Sequence, residues 1–207
     1  MKKTAETLLW ILGTTLLAFY FSAGYWGEHQ RRDGLASFAE AQDLAPVASL
    51  RDAQAGAAVP ARMPSAAEAQ AEAAQDAVIA VLRIPGIALE VPVYQGTTEH
   101  VLRRGAGLVE GTAVPGSAGN VGIAAHRDTH FRGLKDVTIG DLIELGTLDR
   151  TLVYRITAME VVDPGDVHVL DDAGEPMLTL VTCYPFYFVG SAPQRYIVRA
   201  TVADGSM

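Results

Sequence analysis

The residues from Thr179 to Phe186 read Thr-Leu-Val-Thr-Cys-Tyr-Pro-Phe. An apolar run of strand-forming residues ends at Cys183, and Pro185 stops regular strand pairing just beyond it. The stretch therefore predicts a strand that carries a thiol at its end. Cys183 is the only cysteine in the 207 residues, so an intramolecular disulfide is impossible and a cysteine-based zinc site is not expected.

A lone cysteine has two interpretations. Free cysteines are among the most buried residue types and often act as small hydrophobic side chains. The other interpretation is a nucleophile, because a thiolate attacks carbonyl carbon readily. Composition alone favours the buried hydrophobic residue.

Two other segments place a polar side chain at one end of a predicted strand. The run from Gly122 to Ala125 is apolar and leads directly to His126, whereas Arg195 begins a run rich in Ile and Val. An imidazole can exchange protons with an amine, and a guanidinium can stabilise an oxyanion. Each has a plainer interpretation, since His126 also suits a hydrogen-bonded core position and Arg195 a surface charge partner.

The region from residue 77 onward is rich in Val, Ile, Leu, Thr and Tyr in short runs that are separated by turn residues. Many short strands with few helices are typical of a β-sandwich or a closed β-barrel. Pro92 suggests an edge or a bulge in its strand. The predicted strands are Val78–Arg83, Ala88–Tyr94, Asn120–His126, Asp141–Gly146, Thr151–Val162, Met177–Cys183 and Arg195–Val202, and Glu99–Arg104 is the predicted helix.

The N-terminus has a different composition. Thr7–Gly27 contains no charged residue and is long enough to cross a hydrocarbon core of roughly 30 Å. Lys2 and Lys3 precede this run, and aromatic residues close it, which favours an uncleaved anchor with a cytoplasmic N-terminus. A cleaved signal peptide is the alternative, but its apolar region typically has only about 7–15 residues.

Residues 28–76 are rich in Ala, Gln, Glu and Asp, and proline and glycine interrupt them. This composition lacks the apolar surface for a core of its own and predicts a partly helical stalk. A lid over the active site is the functional alternative. We therefore expect an anchor in residues 1–27, a stalk in residues 28–76 and a catalytic domain in residues 77–207.

The net charge of −8 and the scattered acidic residues provide no basic surface for nucleic acid. We therefore expect no nucleic-acid partner.

The string Thr179-Leu-Val-Thr-Cys183 resembles the signature Thr-Leu-x-Thr-Cys of sortases, in which the cysteine is the nucleophile. The block from Glu110 to Arg127 is similar to the family's approach to its catalytic histidine, and Val162–Leu170 is similar to the segment beside its substrate groove. The resemblance covers about Val78 to Thr201. It implies a closed eight-stranded all-β barrel with short helices, with Cys183 as nucleophile, His126 as general acid and base, and Arg195 as oxyanion stabiliser or substrate positioner.

The resemblance also implies a reaction and its partners. A sortase cleaves a sorting signal near the C-terminus of a secreted protein, holds the fragment as a thioester and passes it to an amine of a cell-wall peptide or a protein. The Cys183-Tyr-Pro-Phe186 sequence, together with one N-terminal anchor, is similar to sortases of classes D and E and of Gram-negative bacteria. These features imply a single-pass protein of the bacterial plasma membrane with its catalytic domain outside the cytoplasm, and no cofactor or metal. A cysteine hydrolase on the same scaffold and a non-catalytic tethered barrel are the alternatives.

Three residues near the predicted site are candidates for substrate binding. Thr182 can shape the groove or simply pack, and Tyr184 can line the groove or pack against the barrel. Asp128 can orient His126 by accepting a hydrogen bond, or it can cap a turn. His130 and His168 are interpreted as surface histidines.

Overall fold

The structure is a computed structural model that describes residues 10, 13–15, 29, 31–42, 77–172, 174–188 and 190–203. Most of the predicted anchor Thr7–Gly27 and residues 43–76 of the predicted stalk lie outside these residues. Within the described ranges, none of the helical segments has the length and hydrophobicity that a transmembrane helix requires.

The domain contains eight strands. They are β1 Val78–Ile84, β2 Leu89–Gln95, β3 Ala106–Leu108, β4 Asn120–Ala124, β5 Leu142–Gly146, β6 Thr151–Val162, β7 Met177–Tyr184 and β8 Gln194–Val202. They close into a barrel in the order β1-β2-β3-β4-β7-β8-β6-β5, which confirms the predicted closed barrel. An α-helix, Glu99–Arg104, connects β2 to β3, and 3-10 turns cover Pro85–Ile87, Arg132–Asp136 and Val167–Leu170.

The barrel is mixed, because β3 runs parallel to β2 and β7 runs parallel to β4, while the other neighbouring strands are antiparallel. Strand β3 was not predicted, because its three residues Ala-Gly-Leu have little strand character of their own. Pro92 lies at a local edge as expected, because β2 pairs with β3 only from Val93 onward. No bulge occurs there; the irregularity in the β1–β2 pair lies between Val78 and Ala80.

Side chains fill the inside of the barrel. Alternate residues of each strand point inward, and an eight-stranded barrel is just wide enough for such side chains to pack against each other. The core is mostly aliphatic, with the rings of Phe131 and Tyr154 as its largest members. Tight packing of this kind keeps the strand ends, and whatever they carry, in fixed positions.

A buried asparagine attaches the connection between β6 and β7 to the outside of the barrel. The Asn120 side-chain amide donates to the carbonyls of Val169 and Asp171, at 3.3 and 3.2 Å. Its Oδ1 accepts a hydrogen bond of 2.8 Å from the Thr179 hydroxyl on the neighbouring strand. Both polar atoms of this buried amide are therefore satisfied within the protein.

Residues 31–42, predicted to belong to the stalk, form a helix that packs on the barrel. Phe38 is buried, and Gln42 Nε2 donates to the carbonyl of Thr147 at 3.3 Å. Gly34 approaches β2 so closely that a Cβ atom there would collide with the Tyr94 hydroxyl. This segment has no core of its own, as its composition indicates, but it buries its apolar face against the catalytic domain.

Replacement of Asn120 tests the attachment of the β6–β7 connection. We expect Asn120→Ala to lower the free energy of unfolding by about 2–3 kcal/mol, because buried partners lose their hydrogen bonds. Hydrogen exchange should accelerate in residues 167–171. Chemical denaturation and exchange mass spectrometry measure the two effects, and Ser117→Ala, which removes an exposed hydroxyl bonded to Val114 O, is the control. An unchanged exchange rate in residues 167–171 would show that Asn120 does not hold this segment.

Candidate active site

The strand register brings the three predicted catalytic residues into one row. In the parallel pair of β4 and β7, Ala124 lies opposite Val181, so His126, two residues on, comes beside Cys183. In the antiparallel pair of β7 and β8, Cys183 lies opposite Arg195. Since side chains alternate between the two faces of a strand and the neighbours Ala125 and Tyr196 pack on the core, this row faces outward.

Thr182 connects the strand of the thiol to the strand of the imidazole. Its side chain is buried, and its hydroxyl donates to the carbonyl of Ala125 at 2.7 Å. The amide of Ala125 donates to the carbonyl of Val181 at 3.2 Å, which extends the pairing to the residue before His126. Thr182 thus fixes the backbone next to His126 from behind, and its predicted role in substrate binding stays a prediction.

The row of three residues opens into a cleft of about 350 Å³. Cys183 is a half-buried free thiol in its wall. The cleft combines a thiol, an imidazole and two guanidinium groups, which together can attack a carbonyl, exchange a proton and stabilise negative charge. Its lining is His126, Arg127, Asp128, Cys183, Gly190, Ser191, Ala192 and Arg195.

The carboxylate that approaches His126 is one that the sequence analysis did not single out. Glu99 Oε2 lies 3.7 Å from His126 Nε2, and Glu99 begins the short helix after β2. Asp128 lines the cleft, but among the described residues there is no hydrogen bond between Asp128 and His126. Glu99, and not Asp128, is therefore the carboxylate that the structure places beside the imidazole.

Arg195 is hydrogen-bonded to the loop that precedes it. Its Nη1 donates to the carbonyls of Ala192 and Gln194, at 3.3 and 3.0 Å. A guanidinium has five N–H donors, so these two bonds do not use its full capacity. Arg195 therefore shapes one end of the β7–β8 loop while it faces the cleft.

The Tyr184 side chain lies on the opposite face of β7 from the Cys183 thiol. Its ring stacks on Tyr196 with a centroid distance of 6.2 Å and meets Phe186 edge-on at 6.1 Å. These aromatic residues, with Lys135, Pro185 and Tyr187, surround a second cavity of about 340 Å³. Tyr184 is not part of the lining of the Cys183 cleft, so its predicted contact with substrate stays a prediction.

His130 is half-buried, so it is less exposed than the interpretation as a surface histidine implied. Its Nε2 lies 3.3 Å from the carbonyl oxygen of Arg103, in the helix that begins with Glu99. Burial lowers the pKa of His130, because the charged imidazolium loses hydration, and the positive charges of His126 and Arg31 act in the same direction. His168 is exposed, as expected.

The comparisons with known proteins agree with this geometry. The family model described as the Sortase domain matches residues 82–203, which include all eight strands in whole or in part. The chain belongs to the sortase family. The fold is therefore that of a sortase domain, as the sequence resemblance implied, and the roles of His126, Cys183 and Arg195 stay predictions.

Named relatives lie in several sortase classes. This sortase is 35% identical to Sortase D of Bacillus subtilis over 119 residues, which cover 57% of this chain and 60% of that protein. It is 28% identical to Sortase A of Bacillus anthracis over 196 residues, which cover 92% of this chain and 89% of that protein. A solved structure of a Clostridium perfringens Sortase D5 transpeptidase superimposes with a TM-score of 0.58 and 30% identity, over 68% of this chain and 90% of that one.

Two residues beside His126, Glu99 and Arg127, were not predicted to belong to the site. Glu99 follows Thr98, whose hydroxyl accepts the Val101 N–H, so the start of the helix was predictable but its proximity to His126 was not. Arg127 follows His126 directly, and only the structure shows that its side chain crosses to the β7–β8 loop.

Replacement of Thr182 tests its role behind the site. Thr182→Val has nearly the same shape but cannot donate to Ala125 O. We expect an unfolding free energy lower by about 1–2 kcal/mol and a lower kcat, because the backbone next to His126 loses its support. Thr157→Val, which removes an exposed hydroxyl bonded to Arg199 O, is the matched control. Full kcat in a destabilised Thr182→Val protein would limit Thr182 to a packing role.

The pH dependence of stability tests the burial of His130. Because its pKa is lower in the folded protein, the unfolded chain takes up a proton first as the pH falls through about 6.5. Folding stability therefore decreases on acidification. We expect a smaller decrease between about pH 7.5 and 5 in His130→Gln than in the native protein. The control is His168→Gln at the exposed position, which should behave like the native protein; equal curves for all three would contradict the assignment.

Proposed function

We propose that this sortase is a membrane-anchored cysteine transpeptidase, with Cys183 as nucleophile, His126 as general acid and base, and Arg195 as oxyanion stabiliser. The observation that supports it most is the row of these three side chains on adjacent strands β4, β7 and β8, at one cleft. The substrate is the C-terminal sorting signal of a secreted protein, as expected for the family.

In the first half of the reaction, the Cys183 thiolate attacks the carbonyl carbon of the scissile peptide bond. Negative charge moves to the carbonyl oxygen, where the Arg195 guanidinium stabilises it. The C–N bond then breaks, and the leaving amine takes the proton of the His126 imidazolium. The N-terminal fragment of the substrate remains on Cys183 as a thioester.

In the second half, an amine replaces the departed fragment. The amine attacks the thioester carbonyl and transfers a proton to His126, and the thiolate of Cys183 leaves. One amide bond is exchanged for another, so no oxidant, reductant or metal enters the balance. The Glu99 carboxylate lies beside the imidazole that carries this proton.

The location and the partners follow from the sequence together with the family. Thr7–Gly27 serves as a single-pass anchor in the bacterial plasma membrane, and the barrel faces the extracytoplasmic side. There it meets secreted proteins with sorting signals and an amine of a cell-wall peptide or a protein. Thr182, Tyr184 and Asp128 contribute to the substrate groove.

Peptide turnover tests the proposal. The full chain in detergent is incubated with fluorogenic sorting-signal peptides and an amine acceptor, and mass spectrometry identifies the thioester and the product ends. We expect a new amide, no turnover by Cys183→Ala, and losses in kcat/KM of about 10²–10⁴ for His126→Ala and about 10²–10³ for Arg195→Ala.

A matched control separates catalysis from strand stability. Arg199 lies on the same face of β8 as Arg195, pairs with Glu160 at 3.1 Å and does not line the cleft. Arg199→Ala should therefore keep kcat/KM within about threefold of the native value. Products that end only in an acid would favour a hydrolase, whereas no cleavage together with a thiol that reagents do not modify would favour a non-catalytic barrel.

A further inference from the structure

Arg127 makes contacts that the chemistry of Cys183, His126 and Arg195 does not require. It directly follows His126, and its Nη2 donates to the carbonyl of Phe188 at 2.6 Å and to that of Gly190 at 3.2 Å. Its guanidinium carbon lies 5.8 Å from the centroid of the Phe188 ring. One side chain thus connects the end of the histidine strand to the loop that follows the cysteine strand.

The segment that Arg127 holds forms a wall of the cleft. Gly190, Ser191 and Ala192 line the same cleft as His126, and Gly190 has a φ of +100° that favours glycine. Arg195 holds the other end of the same loop through the carbonyl of Ala192. The cleft therefore keeps its width through two guanidinium groups that bind backbone carbonyls of one loop.

No carboxylate competes with the loop for Arg127. Among the described residues, none forms an ion pair with Arg127, and its Nη1 is buried without a hydrogen-bond partner. The guanidinium is planar and presents its donors in a rigid fork, whereas lysine is a flexible point charge that cannot reproduce this geometry. The recorded hydrogen bonds of the Arg127 side chain therefore all go to backbone carbonyls of the β7–β8 loop.

We propose that Arg127 is a positioning and specificity-determining residue, which holds the β7–β8 loop in the shape that binds the substrate peptide. Nη2 fixes the loop through Phe188 O and Gly190 O. The inference rests on the proposed function, because it assumes that the peptide occupies the Cys183 cleft. Arg127 takes no part in bond making or breaking, so its loss acts on binding and not on the chemical step.

Two measurements on the full chain in detergent test the proposal. In Arg127→Ala, we expect the KM for a sorting-signal peptide to rise about tenfold while kcat changes less than about threefold. Hydrogen exchange of the amides in residues 186–192 should become faster. Arg127→Lys keeps the charge but not the fork, so both effects should be intermediate.

Arg155→Ala is the matched control, because Arg155 Nη1 also donates to a loop carbonyl, that of Gly140 at 3.1 Å, away from the cleft. It should leave both KM and the exchange of residues 186–192 at their native values. A fall in kcat at constant KM in Arg127→Ala, or native exchange in residues 186–192, would overturn the proposal. If the native chain cleaves no sorting-signal peptide, the proposed function fails, whereas the exchange measurement still decides whether Arg127 holds the loop.

Discussion

The parallel pairing of β4 with β7 is the constraint on which the site depends. Its register places Ala124 opposite Val181, and a shift of one residue would turn either His126 or Cys183 into the core. The Thr182 hydroxyl reinforces this register from inside the barrel through its bond to Ala125 O. A strand pair of this kind positions an imidazole and a thiol more rigidly than flexible loops can, because every backbone bond in the ladder resists their separation.

The barrel wall separates two kinds of packing. Side chains that point inward form an aliphatic core. On the outer face, the β6–β7 connection, which is hydrogen-bonded to Asn120, covers the start of β4. At the rim this cover ends, and His126, Cys183 and Arg195 reach the cleft. The alternation of side chains along a strand thus explains why Thr182 supports the site from the core while its neighbour Cys183 faces the cleft.

Hydrogen bonds from arginine side chains to backbone carbonyls shape the part of the site that lies outside the strand pairing. The loop between β7 and β8 contains glycine and lies outside regular pairing, so its described residues depend on bonds from Arg127 and Arg195. Charged donors make stronger hydrogen bonds than neutral ones and suit this task. Substrate preference can then change through loop residues without any change to the strand ends that carry the chemistry.

Local sequence by itself determined the strong strands, the helix Glu99–Arg104 and, with the resemblance of Thr179–Cys183 to a known signature, the family and the candidate nucleophile. Those features depend on alternation, on turn residues and on a short motif, all of which are local. The tertiary structure alone decided the strand β3, the packing of residues 31–42 on the barrel, the approach of Glu99 to His126 and the reach of Arg127 to Phe188. These depend on contacts between residues that are distant in sequence, and no local pattern encodes which distant backbone a side chain will meet.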